Sequence, residues 1–249
     1  MAIGPYRTAL VTGASRGIGA AICRRLAARG MAVIGLARDA AALEALAVEI
    51  GITPLVADVT DTAAVTAGLG AAEIDVLISN AGYVAAVRPL HEQTSEEIDR
   101  TIDVNLRAPL HLARALLPGM IARRRGHVIH VTTTAAHAVF GGTAPYGAAK
   151  AGLSHAGAVM RYDLVGTGVR LTEIVPGRVE TDVYLTAFGG DRERLRGTMY
   201  ADVRALQPDD VAAAVVAALD MPEHVDIARL DVVPTDQAPG GHRYADRPE

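Results

Sequence analysis

Short apolar runs alternate with stretches of helical periodicity along most of the chain. Thr8–Gly13 (TALVTG) is an apolar strand ending in glycine, and Gly17–Gly30 has helical spacing up to a glycine stop. Met31–Ala37 is the next strand, and Asp39 is placed to cap a helix running through Ile50. TPLVADV and Ile74–Asn80 read as two further strands. Thr94-Ser95-Glu96-Glu97 has the spacing of a capping box and opens a helical region toward Arg123. GHVIHVTTT is a fifth strand, Tyr146–Leu164 a long helix and GVRLTEIVPG a sixth strand. A helix starts at Pro208-Asp209-Asp210, and IARLDVVPT is the last strand. Strands this apolar are buried on both faces. The pattern therefore predicts an α/β fold: a doubly wound parallel sheet of about seven strands with helices on both sides, in one domain over residues 1–249.

Composition changes this picture little. Half of the 249 residues are apolar, 25 are glycine and the net charge is −4, so nothing draws the chain to nucleic acid or an anionic membrane. Arg123-Arg124-Arg125, the only basic run, reads as a solvated turn. The longest apolar run, Val211 to Leu219, is far short of the ~20 residues of a membrane span. Cys23 has no second cysteine to pair with and sits at a packing position. His127 and His130 are three apart on a strand and face opposite sides, so no metal site is expected. The expected setting is cytoplasmic.

The first strand runs into Thr12-Gly13-Ala14-Ser15-Arg16-Gly17-Ile18-Gly19. Glycines at 13, 17 and 19 let the backbone turn sharply and approach a pyrophosphate, while the next helix presents its N-terminal amides. At the end of the second strand, where an acid would hold a ribose 2′-hydroxyl, stand Ala37 and then Arg38. A 2′-phosphate fits between Arg38 and Arg16, and Asp39 is occupied as a helix cap. The expected cofactor is NADP(H).

Lys150 is the only lysine in the chain. It follows Tyr146 by four residues in a helical stretch, so the two side chains share a face one turn apart. A free phenol has a pKa near ~10, and a nearby ammonium favours the phenolate and lowers it. The pair is thus a candidate acid/base. A hydroxyl to hold a reacting carbonyl is offered by Thr132, Thr133 and Thr134 at the end of the fifth strand, where α/β sheets place their ligand crevice.

Together with Asn80-Ala81-Gly82, Asn105 and Pro176-Gly177, these motifs occur in an order and spacing that resemble the short-chain dehydrogenase/reductase family in its single-domain, Rossmann-like form. The resemblance spans nearly the whole chain. It implies that Tyr146 is the acid/base and that Lys150 lowers its pKa and binds the nicotinamide ribose. It also implies that Asn105 supports a water-linked proton relay. Asp58 and Val59 would meet the adenine, Asn80 and Ala81 the cofactor ribose region, and Val179 and Thr181 the nicotinamide amide. Ser79 replaces the first asparagine of the family's Asn-Asn-Ala-Gly. The family's serine falls on Thr133, which keeps the hydroxyl but adds a methyl and stiffens χ1. The C-terminal third is similar to NADP-dependent 3-hydroxy-acid and serine dehydrogenases and to clavaldehyde and sulfoacetaldehyde reductases.

Two readings stand beside an oxidoreductase. One is a nucleotide-binding scaffold or redox sensor without turnover, against which an intact Tyr146, Lys150 and Asn105 set weighs. The other is a sugar-nucleotide epimerase, disfavoured because no substrate domain follows residue 210. Residues 177–207, rich in glycine and arginine, interrupt the alternation and are expected to form a substrate lid. Arg178 and Arg204 are its candidate anion-binding residues, while Arg192, Arg194 and Arg196 read as surface. Tyr184, Phe188 and Phe140 are candidates for an apolar wall. Small residues from Ala148 to Ala158 suggest close helix pairing in a homodimer or homotetramer.

Overall fold

The computed structural model describes residues 3–201 and 204–237. Its seven strands are β1 (Thr8–Thr12), β2 (Ala32–Ala37), β3 (Thr53–Val56), β4 (Val76–Ser79), β5 (Gly126–Val131), β6 (Val169–Pro176) and β7 (Arg229–Val232). They form one sheet in the order β3-β2-β1-β4-β5-β6-β7, and every pairing is parallel. The helices are α1 (Gly17–Ala28), α2 (Ala40–Ile50), α3 (Thr62–Leu69), α4 (Ser95–Ile102), α5 (Ala108–Ala122), α6 (Ala144–Asp163), α7 (Arg192–Met199) and α8 (Pro208–Leu219).

Two apolar layers cover the sheet. Ile22 and Leu26 of α1, Leu43 of α2 and Val211 and Val215 of α8 pack on one face. Val65 of α3 and Leu112 and Met120 of α5 pack on the other, with Leu10, Leu77 and Val128 from the strands. Burial on both faces explains the unbroken apolar strands. The strand order reverses between β1 and β4, so a crevice opens at their C-terminal ends.

Local chemistry sets the boundaries. Asp39 accepts from the Ala42 amide at 3.1 Å and starts α2. Thr94 and Glu97 form the expected reciprocal box at α4. The helical region beyond it is not continuous, because a π-helical turn, Asp103–Arg107, separates α4 from α5. His127 and His130 are both buried and face opposite sides of β5, His127 against Tyr6 and Thr172 and His130 against α6.

Arg123-Arg124-Arg125 corrects the reading of a merely solvated turn. Arg125 Nε donates to Asp75 at 3.0 Å, and Arg123 donates to the Ile74 carbonyl at 2.8 Å. Asp75 is buried and also accepts from the Arg7 amide, so the run anchors the N-terminal edge of β1 and β4. Among the described residues, no helix is long and apolar enough to cross a membrane.

Candidate active site

A cleft of about 660 Å³ lies at the C-terminal ends of the central strands. That volume suits a cofactor-sized ligand. Its floor is the β1–α1 loop. Gly13 has φ +68°, and a Cβ there would stand 2.9 Å from the Ala81 Cα. The loop is latched to the end of β4 by Thr12, whose Oγ1 accepts from the amides of Asn80 (3.0 Å) and Ala81 (2.9 Å). Asn80 returns the tie, its Nδ2 donating to the Thr12 carbonyl at 2.9 Å. The Asn80 side chain therefore shapes the loop, and Asn80, Ala81 and Gly82 all line the cleft. Thr12 was not singled out as a site residue, although it opens the glycine motif.

Ser15, Arg16, Gly17 and Ile18 line the cleft at the start of α1, whose N-cap Arg16 offers its amides no side-chain acceptor. Those amides are open to an anion. Gly19 does not line the cleft. A Cβ there would fall 2.1 Å from the Gly13 carbonyl oxygen, so this glycine serves the packing of α1 against the loop.

Arg38 and Arg16 are both exposed at one end of the cleft. Arg38 is 3.9 Å from Asp58, but that carboxylate is held by Arg100 at 2.6 Å and by Thr60 at 2.7 Å. These partners outweigh burial and bring Asp58 down to about 2. Val59 lines the wall next to it. Arg100, which sequence reasoning missed, joins them from α4.

At the other end Tyr146, Lys150, Thr132, Thr133 and Thr134 come together. Helical spacing places Tyr146 and Lys150 on the buried face of α6. Burial, and then Tyr184, push the Tyr146 phenol above the ordinary tyrosine range, while a hydrogen bond with Thr133 draws it back. Lys150 is 3% exposed, and burial brings its ammonium down to about 8. Its Nζ donates to the Val131 carbonyl at 2.8 Å. Burial thus acts on the phenol against the lowering expected from Lys150, whose ammonium is tied to the Val131 carbonyl.

Thr132 is occupied, donating to Glu173 at 2.7 Å, so Thr133 is the hydroxyl placed beside Tyr146. Asn105 is fully buried in the π-helical turn, outside the cleft wall. Its Nδ2 donates to the Tyr83 carbonyl at 2.6 Å and to the Thr101 carbonyl at 2.8 Å. Its side chain fixes the segment after β4.

Pro176, Gly177, Val179 and Thr181 line the cleft where β6 ends. Of the expected lid, residues 202 and 203 lie outside the described residues; the described remainder leaves and rejoins the fold at a parallel bridge between Val179 and Leu206, and includes α7. Arg178, Tyr184 and Phe140 line the cleft as expected. Arg204 and Phe188 do not. Arg204 is exposed away from it, and Phe188 packs under Arg194, 5.7 Å from the guanidinium to the ring centre. Arg192 pairs with Asp182 at 2.9 Å and Arg196 lies 4.0 Å from Glu180, so these are surface residues. Tyr200 and Gln237 also line the cleft. Gln237 accepts from the Arg178 amide at 2.8 Å, a contact no local sequence signal announces.

Comparison with known proteins agrees with this geometry. The chain is 42% identical to the "Uncharacterized short-chain type dehydrogenase/reductase y4eK" of Sinorhizobium fredii, over 95% of this chain and 94% of that protein. It is 38% identical to the NADP-dependent 3-hydroxy acid dehydrogenase YdfG of Salmonella typhi, over 93% and 96%. Among solved structures, the closed form of serine dehydrogenase complexed with NADP+ superposes with a TM-score of 0.90 at 34% identity, covering 96% of this chain and all of that one. The family model described as short chain dehydrogenase matches residues 7–188, and with a seven-stranded parallel sheet and a glycine loop at its switch point the chain belongs to the short-chain dehydrogenase/reductase family.

Proposed function

We propose that the protein is an NADP(H)-dependent oxidoreductase acting on a small alcohol or carbonyl substrate. One observation carries the reading: a buried phenol, one helical turn from a buried ammonium on the same face of α6, meets the Thr133 hydroxyl inside a cleft floored by a glycine loop. The donor set fits a dinucleotide. Uncapped amides at α1 suit the pyrophosphate, and the cationic Arg16 and Arg38 suit a 2′-phosphate. Lys150 keeps further N–H donors for a sugar hydroxyl.

The nicotinamide, when bound, supplies or takes the hydride. The chain's own part is proton handling and orientation. Burial keeps the Tyr146 phenol protonated at neutral pH, the form that donates a proton to a carbonyl oxygen during reduction. Thr133 holds that oxygen opposite the phenol. Asn105, through the turn it stabilises, supports the relay that returns a proton to the site. Residues 177–207 close over the reacting carbon, and Arg178 pairs with an anionic group on the substrate. Its Nη1 donates to the Met199 carbonyl at 3.2 Å, and among the described residues no carboxylate lies within salt-bridge distance of it. The buried Cys23 goes with a reducing, cytoplasmic setting.

NADPH oxidation by the purified protein against aldehydes, ketones and keto acids tests this reading. Tyr146→Phe is expected to lower turnover by about 10²–10⁴-fold while NADPH still binds. Full turnover by Tyr146→Phe, or a wild type inert toward every carbonyl, refutes it.

A further inference from the structure

Glu173 lies on β6, outside the machinery described above. It is an acid 6% exposed in a strand that is otherwise apolar along most of its length. Its Oε1 accepts from Thr132 Oγ1 at 2.7 Å and stands 3.4 Å from His137 Nε2. Those two partners bracket the segment that carries Thr133. Thr132 immediately precedes it. His137 closes the 3₁₀ turn Thr134–Ala136, which Thr133 opens by accepting from the Ala135 amide at 3.3 Å. One carboxylate therefore grips both ends of a six-residue arch whose second member faces Tyr146.

The grip also crosses a wall. Thr132 lines the main cleft, whereas Glu173 and His137 line a separate cavity of about 380 Å³ between α6 and the β6–β7 edge. Arg161 and Arg229 line that second cavity as well. Each has its own anchor: Arg161 donates to the Leu171 and Ala228 carbonyls, and Arg229 pairs with Asp231 at 2.6 Å. The side-chain hydrogen bonds of Glu173 thus run to the arch, while Arg229, opposite it on β7, acts on it only through space.

We infer that Glu173 is a positioning residue for the substrate-orienting hydroxyl, holding Thr133 at its working distance from Tyr146 through Thr132 and His137. The inference rests on the reading of Thr133 given above. An unbranched apolar core residue would fill this volume without fixing the arch, because the other acceptor open to Thr132, the Ile174 carbonyl, lies at 3.3 Å. A small displacement of an orienting group lowers the chemical step and leaves cofactor binding intact.

The test compares Glu173→Leu, Glu173→Gln, Thr132→Val and Thr133→Val for kcat, substrate KM and NADPH affinity. Glu173→Leu and Thr132→Val are expected to lower kcat by about tenfold with NADPH affinity unchanged. Glu173→Gln keeps an acceptor for Thr132 and should restore most of the loss. The double variant Thr132→Val/Glu173→Leu should be no slower than the worse single variant, because the Thr132–Glu173 contact is already lost in either one. Thr132→Val is nearly isosteric and carries the test if Glu173→Leu does not fold. The role is overturned if Thr133→Val is impaired while Thr132→Val retains wild-type kcat. It is also overturned if NADPH affinity falls as far as kcat does. Normal turnover by Thr133→Val instead overturns the reading of Thr133, and this inference with it.

Discussion

Lys150 Nζ donates to the Val131 carbonyl oxygen at 2.8 Å, from a side chain that is 3% exposed. This contact ties the middle of α6 to the end of β5 and commits the buried charge to the backbone. It also makes a stability prediction with a definite sign. Burial brings the lysine from 10.5 to about 8 in the folded chain. Below pH 8 it is charged in both folded and unfolded chains, and its desolvation counts fully against folding. Between pH 8 and 10.5 the folded chain releases the proton first, so wild-type stability rises with pH across that window. Lys150→Met lacks this slope. At pH 7 the variant is expected to melt no lower than wild type, with wild type gaining on the order of 3 kcal/mol relative to it by pH 10.5. Turnover should be lost at every pH. Melting curves that stay parallel from pH 7 to 10.5 would show that Lys150 is not desolvated.

Among the described residues the one carboxylate within 4.0 Å of the Arg38 guanidinium is that of Asp58, at 3.9 Å, and it is already held by Arg100. Arg38→Ala is expected to weaken NADPH by one to two decades, since a charge-assisted hydrogen bond is worth roughly 1.5–3 kcal/mol. NADH affinity should change little. Titration of both cofactors by fluorescence reads the difference, and a wild type that prefers NADH contradicts the reading of the β2 end.

Much of this architecture was legible because its causes are local. Apolar strands buried on both faces, the Asp39 cap and the Thr94–Glu97 box are each written in a few adjacent residues. So are the glycine loop and the four-residue spacing of Tyr146 and Lys150. What was not legible depends on distant partners. The latch between Thr12 and Asn80 joins residues 68 apart, and the contact of Gln237 with Arg178 joins residues 59 apart. The eight-residue α3 is too short for its periodicity to stand out. The π-helical turn at Asn105 keeps helical composition and changes only the hydrogen-bond register. Phe188 and Arg204 were misplaced because the fold of residues 177–207 rests on the Val179–Leu206 bridge, for which composition carries no signal. The phenol's burial was not legible for a different reason: spacing gives proximity and says nothing of desolvation, which pushes the phenol up.

Assembly through α6 is the next expectation, refined by which small residues face outward. Gly157 packs inward on β5 and β6, and Gly152 against Leu106, so these serve the chain's own core. The outer face carries Ala148, Ala158, Val159 and Tyr162, with Val165 beyond the helix end; Tyr162 is 83% exposed and Val165 79%. A face of this kind, apolar apart from the exposed His155 in its middle, fits pairing with α6 of a second copy. Val159→Glu/Tyr162→Glu is expected to shift the protein from dimer or tetramer toward a smaller species in light scattering. A monomeric wild type at micromolar concentration sinks this prediction.

The substrate prediction rests on Arg178. Its amide is held by Gln237 and its Nη1 by the Met199 carbonyl, which fix the side chain in the cleft wall next to Tyr184. The neighbouring arginines of α7 differ, being directed at Asp182, Glu180 or the Phe188 ring. An arginine held in a cleft wall without a carboxylate partner among the described residues favours a substrate that brings its own anion, a carboxylate or sulfonate able to accept forked hydrogen bonds. A hydroxy or keto acid compared with its neutral ester reads this directly. Wild type is expected to prefer the acid, and Arg178→Ala to lose one to two decades of that preference in kcat/KM, equivalent to about 1.5–3 kcal/mol. Arg204→Ala, exposed and outside the cleft, should leave the ratio unchanged. If the ester is the better substrate for wild type, or if Arg178→Ala leaves the ratio intact, the cleft takes neutral alcohols against its Tyr184 and Phe140 wall.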